Sequence, residues 1–299
     1  MNVKIENDHE VTQTLAQHLW VELKDLATIS VSGPDAKSFL QGQVTCDIEK
    51  ITAENSGLGA YCNNKGRVLS IFHVINAGNQ YLLLLPKSCL QPIIERLQKI
   101  AVFSKVTLSS KPPFQFLYGL IGSPWDALLS DTIGKRKIFS VINKDNTLII
   151  PLPSLSKRYL VLTNDPTALS ANFKTVHQGK QLDWLTQELL IGLPQIYPET
   201  MALFTPHMLN LKQQGAVSFN KGCYVGQEII ARTEHLGKTK RALYRVIIDD
   251  DTSLSSSPEA HSSENNHTEH IVNGVTLASN RKLALVVRQI STEEKQDGR

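Results

Sequence analysis

The chain has 299 residues, 41% hydrophobic and 20% charged, with a formal net charge of +3. That length supports one large domain or two to three smaller ones, each with its own core. The charge permits contact with nucleic acid but falls short of the basic footprint of a dedicated binder. The opening MNVKIENDHEVTQT has no apolar h-region and so does not read as a secretory signal. The most apolar run, Tyr81 to Pro86, is too short to cross a bilayer. These features predict a cytoplasmic protein with no membrane partner.

Val11, Leu15 and Leu19 are four residues apart and predict a short amphipathic helix. Leu26 to Val31 alternates apolar and polar side chains, as a half-buried strand does. Gly33-Pro34 opens a helix with Phe39 and Leu40 on its buried face, ended by Gly42 and Val44-Thr45. Residues 67–108 read as strand, hairpin, strand, helix, strand, with Ala77-Gly78-Asn79 as the turn. Leu90, Ile93, Ile94, Leu97 and Ile100 form that helix's stripe. Residues 116–175 run similarly and suggest a loose internal repeat. Phe116–Ile121 is a strand, and Ser123-Pro124 starts a short helix. Lys137–Ile142 and Leu148–Leu152 flank an Asp145-Asn146 turn. Tyr159–Leu162 is a strand, and Asp165-Pro166 caps a helix ending near Gly179.

Leu182 to Leu190 is a helix carrying Trp184, stopped by Gly192 and Pro194. After an irregular stretch the pattern turns strand-like, at Ala242–Ile248, Ile271–Leu277 and Leu283–Ile290. Between the first two of these lies a polar segment, 249–270, rich in Ser, Asn, Glu and His and without periodicity; it reads as a solvated loop. Strands and helices intermix without a βαβ rhythm, so the fold class is α+β. The expected division is an interwoven region over 1–236, with a second subdomain near 55–110, and a C-terminal unit over 237–299.

Cysteines stand at 46, 62, 89 and 223, and no two share a CxxC spacing. A multi-cysteine metal site within the chain is therefore not expected. Attention falls on Lys221-Gly222-Cys223-Tyr224-Val225-Gly226-Gln227-Glu228. The glycines allow positive φ and close backbone approach. A helix beginning at Gln227 would put Cys223 just before its N-terminus, with Lys221 two residues away. The dipole and the ammonium would both favour a thiolate. Arg232, His235, Lys238, Lys240 and Arg241 follow, opposed only by Glu234, a field suited to carboxylates or phosphates. Read from spacing alone, a glycine-rich turn with a buried cysteine weighs about equally.

KGCYVGQE resembles the K-G-C-[FY]-x-G-Q-E motif of the YgfZ-type folate-binding proteins, relatives of the glycine-cleavage aminomethyltransferase. The likeness continues through IIART and KTKRAL and extends to LATISVSGPDAKSFLQGQVTCDI, AYCNNKGRV and KIAVFSKVTL. It implies an aminomethyltransferase-like body around a folate channel with a C-terminal β-barrel-like domain. It further implies tetrahydrofolate binding, a part in assembling or repairing iron–sulfur proteins, and through those clients an indirect effect on tRNA. On this resemblance Cys223 and Lys221 carry the chemistry. Trp184, Leu26, Tyr224, Gln227, Glu228, Arg232 and Arg241 hold the folate. Leu26 stands where relatives have a second tryptophan.

Two positions depart from the enzyme relatives. Ser70 occupies the place of the carboxylate that positions the folate amine, and no Asp or Glu occurs from Gly57 to Ile94. Leu190 occupies the place of a pterin-binding Glu; Glu188, two residues earlier on a helix, points about 200° away. These favour an accessory protein over a folate-dependent aminomethyl- or methyltransferase. A direct tRNA-binding role through Arg232–Arg241 is the third reading.

Overall fold

The computed structural model describes residues 11, 13, 17–111, 113–123, 125, 137–167, 174, 176–237, 239–248, 261–262 and 268–290. Fifteen strands make three sheets among these residues. Numbered along the chain, they are β1 Leu19–Glu22, β2 Leu26–Ser32, β3 Gly57–Cys62, β4 Val68–Asn76, β5 Gln80–Pro86, β6 Thr107–Ser109, β7 Phe116–Ile121, β8 Ile142–Lys144 and β9 Thr147–Pro151. Then come β10 Arg158–Thr163, β11 His177–Gln178, β12 Arg241–Ile248, β13 His261–Ser262, β14 Thr268–Thr276 and β15 Lys282–Gln289. The main helices are α1 Ala36–Gln43, α2 Leu90–Ala101, α3 Gln181–Leu190 and α4 Gln227–Leu236.

The central sheet runs β3-β4-β5-β2-β6 and the second runs β11-β1-β7-β10-β9-β8. The two stack face to face, which explains the run Tyr81–Leu85. Leu83 and Leu85 point to one side, into a core with Phe39 and Leu40 of α1 and Ile93, Ile94 and Leu97 of α2. Leu82 and Leu84 point to the other, against Leu148, Ile150, Leu160 and Leu162 of the second sheet. A strand covered on both faces has no use for alternation. Each fully buried Leu here contributes about 1.5–3 kcal/mol.

The third sheet, β12-β15-β14-β13, is antiparallel. Leu243, Val272, Leu283 and Leu285 pack on Leu189, Leu190, Tyr224 and Ile230. The expected barrel-like domain is, over the described residues, this open sheet. The sheet is kinked where Val272 bulges out of register with β15.

Some segments depart from their sequence pattern. Leu19 is in β1, not a helix, paired with Ile121 on β7 and with His177 in parallel. This pairing overrides the spacing of four. The arm predicted over Lys137–Ile142 shortens to β8 because Ser140 bridges Asn55 and the Val141 amide donates to Glu54 O. Asp145 and Asn146 both have positive φ, the geometry of a tight two-residue hairpin turn. The helix expected to run to Gly179 gives way to β11; most of its course lies outside the described residues. The loose repeat becomes two stacked sheets of different strand order. Most of the 249–270 loop, and much of the helix expected at Ser123-Pro124, also lie outside the described residues.

Candidate functional site

The KGCYVGQE segment is a loop leading into α4, anchored to its surroundings through Lys221, Val225 and Gly226. Gly226 caps α4 with φ +81°, and a Cβ there would lie 2.5 Å from Asn63 O. Only glycine fits this left-handed, backbone-crowded position. Gly222, expected to play the same part, does not: a Cβ there would have nothing within 4 Å, and its φ is not positive. The Tyr224 amide donates to Gln227 Oε1 at 3.2 Å, and the Val225 amide donates to Gly42 O at the end of α1. Burial pushes the Tyr224 hydroxyl well above the usual range, and nearby Cys62 adds to the shift.

Lys221 is a clamp. Its Nζ donates to Val44 O at 2.8 Å and Cys46 O at 2.7 Å and lies 5.1 Å from the centre of the Tyr224 ring. Burial pulls its pKa down to about 8 against the pull of Cys46 and Asp47. The ammonium expected beside the thiol thus makes its hydrogen bonds with carbonyls. What remains outside the stitching is the crest: Gly222 and Cys223 are exposed, while the other three cysteines are buried. Burial lifts the Cys46 and Cys62 thiols to about 12 and Cys89 to about 11. Cys223 is therefore the accessible thiol among the four.

Glu228 is exposed in the first turn of α4, where a carboxylate complements the helix dipole. Arg232 lies further along α4 and Arg241 at the start of β12, both exposed. Glu234, expected to oppose the local cations, instead bridges Lys212 and His207.

Leu26 and Trp184 come together elsewhere, in a cleft of about 230 Å³ lined also by Lys87, Gln181, Gln195 and Tyr197. Trp184 is only 3% exposed. The Arg158 guanidinium lies 4.6 Å from its ring centre, and the bare Cα of Gly119 abuts the six-membered ring. The predicted site residues thus form two groups, the cleft pair and the α4 loop group; Tyr224, Gln227, Glu228, Arg232 and Arg241 do not line this cleft.

Beneath the cleft lies a network that periodicity did not reveal. Arg158 and Glu188, both buried, sit 3.8 Å apart. Gln195 Nε2 donates to Glu188, and Tyr197 Oη donates to Gln195 Oε1 at 2.7 Å. The Trp184 N–H is close enough to favour the charged Glu188 yet closes no hydrogen bond by distance and angle. Burial raises the Glu188 carboxyl, with the Arg158 charge holding it back. Glu188 therefore braces the cleft floor. Leu190 points into the core with the third sheet, and Ser70 is fully buried. The wide spacing of Arg158 and Glu188 in the chain hid their pairing.

A second, larger cleft of about 500 Å³ was also not foreseen, with Cys46, Asp47, Phe139, Lys212, Ser218 and Asn220 among its lining residues. Three distant segments build it.

No family model matches the chain. It is 35% identical over 227 residues to the tRNA-modifying protein YgfZ of Colwellia psychrerythraea, covering 75% of this chain and 70% of that one. It is 31% identical over 235 residues to the protein of that name in Vibrio atlanticus, covering 79% and 71%. Identity is again 31% over 229 residues to the Escherichia coli protein, covering 75% and 70%. In structure it is similar to the glycine cleavage system aminomethyltransferase T of Bartonella henselae, with a TM-score of 0.67 and 16% identity over 94% of this chain and 80% of that one. That likeness establishes an aminomethyltransferase-like fold. By its extended identity to these relatives, the chain belongs to the YgfZ family.

Proposed function

We propose that this protein is a folate-binding accessory factor for iron–sulfur proteins, acting through Cys223. The observation that carries the reading is the exposed thiol on a loop anchored on either side, by Lys221 on the carbonyls of Val44 and Cys46 and by the Val225 amide on Gly42 O. One thiolate cannot hold a cluster alone. It can supply a single ligand to a cluster whose other ligands belong to a client. The relatives' designation as tRNA-modifying fits a client that itself modifies tRNA, with no direct contact needed. The cytoplasm is the compartment where such a reduced thiol persists.

The cleft of Leu26 and Trp184 is the proposed seat of tetrahydrofolate or a one-carbon derivative. Lys87 at its wall suits the ligand's carboxylates, and Gln181 and Gln195 line it with amides fixed by their bonds to Glu22 O and to Glu188 and Tyr197. Ser70 and Leu190 stand where the aminomethyltransferase relatives carry carboxylates, which favours binding over turnover.

The test is Cys223→Ala in cells lacking the wild-type protein. Iron–sulfur enzyme activity should stay low, and full rescue by the variant would remove the thiol from the mechanism. Folate binding is checked by titrating tetrahydrofolate against tryptophan fluorescence and calorimetry. An unchanged signal with no heat rejects it.

A further inference from the structure

The segment KIAVFSKVTL carries a feature that neither the thiol nor the folate cleft uses. At the end of α2, Phe103 is 89% exposed and Val102 74% exposed. This tip is built rather than frayed. The Ser104 amide donates to Ala101 O at 2.9 Å and the Val106 amide to Ser104 O at 2.9 Å. Asp35 grips it from α1: the Asp35 amide donates to Lys105 O, and Asp35 Oδ2 accepts from the Lys105 amide at 2.8 Å. Gly33, at φ +109°, lies so close that a Cβ would sit 2.4 Å from Lys105 O. The fold thus fixes the backbone that presents two apolar side chains to water, a preorganisation that lowers the entropic cost of docking.

The surroundings choose the occupant. Arg96, Lys99 and Lys105 are exposed around the tip, and nearby Glu95 is bonded to Gln91. An apolar anchor with a cationic rim complements a protein pocket rimmed by carboxylates. A pair of adjacent aliphatic and aromatic groups fits such a pocket better than it fits a single stacked base.

Position ties the tip to the thiol. Asp35 caps the start of α1, and Gly42, in its last turn, accepts the Val225 amide of the thiol loop. The two attachments lie seven residues apart along the helix, a span of about 10 Å. A typical partner covers about 800 Å², a patch roughly 30 Å across, so one protein can engage both ends of α1.

We propose that Val102 and Phe103 are the docking anchor for the client protein whose cluster site reaches Cys223. This rests on the thiol reading above, and the test separates the two. A photoreactive benzoylphenylalanine is placed at position 103, and separately at 222 on the crest, and cross-linked in cells. The expected result is one polypeptide, identified by mass, captured from both positions. The purified partner then binds the Phe103→Ser protein at least 10-fold more weakly than wild type, and more weakly still as salt rises. Phe103→Ser keeps the wild-type rate of Cys223 alkylation by iodoacetamide, which shows an intact loop. Different polypeptides at the two positions, cross-links only to RNA or lipid, or unchanged binding by Phe103→Ser would each overturn the proposal. If Cys223→Ala rescues cells fully while Phe103→Ser still weakens binding, the thiol reading falls and the anchor stands.

Discussion

Gly226 and Gly66 meet backbone to backbone: a Cβ on Gly226 would stand 3.0 Å from Gly66 Cα, and both residues have positive φ. Gly66 turns the β3–β4 hairpin and Gly226 caps α4, so this contact locks the thiol loop to the central sheet. Gly226→Ala meets a left-handed backbone and the Asn63 carbonyl together, and destabilises by about 2–4 kcal/mol. Thermal unfolding should show it as a midpoint about 3–6 °C lower. Gly222→Ala, in open space, should leave the midpoint unchanged. Equal effects of the two would mean the contact does not brace the loop.

The cleft pair gives a gain-of-binding prediction. Leu26 is half-buried at the cleft wall and offers no ring. Leu26→Trp adds an aromatic face worth about 0.5–1.5 kcal/mol, so tetrahydrofolate should bind about 2- to 12-fold more tightly by calorimetry. Binding unchanged or weakened by Leu26→Trp would place the folate elsewhere.

Much of the fold was legible in the sequence because local signals and tertiary needs agreed. The stripe of α2, the Phe116–Ile121 strand and the helix carrying Trp184 each appear where the pattern put them. The approach of Leu26 to Trp184 came through family resemblance, since no local rule links residues that far apart. What stayed hidden depends on distant partners. The Lys221 ammonium looked like a neighbour of Cys223 along the chain, but the carbonyls it reaches belong to residues 44 and 46. Leu19 fitted a helical spacing until β7 claimed it.

The Lys221 clamp is open to direct trial. Lys221→Met keeps much of the apolar stem but leaves Val44 O and Cys46 O without their charged donor. The loss should be about 1–3 kcal/mol. Hydrogen exchange localises it: the Val225 amide, bonded to Gly42 O beside the clamp, should exchange faster than in wild type while amides of β5 keep their protection. Uniform loss of protection would point to global destabilisation instead of a loosened loop.

The last prediction concerns pH and a residue far from the thiol. His73 on β4 is buried against Phe139, with ring centres 6.2 Å apart, and faces the Arg158 charge. Burial first, and Arg158 second, hold its pKa down at about 3. An unfolded histidine titrates near 6.5, so between these values the unfolded chain binds a proton that the folded chain does not. Stability is therefore full above about pH 6.5 and falls as pH drops toward 3, by about 1.4 kcal/mol per unit. By pH 5 His73 alone should account for about 2 kcal/mol. His207, whose pKa burial also lowers against the pull of Glu234, adds a further slope of the same sign. Urea unfolding at pH 7, 6 and 5 should show this decline. His73→Gln, which cannot take up the proton in either state, should flatten the part due to His73 while leaving that of His207. An identical slope in the variant would assign the acid sensitivity to other groups.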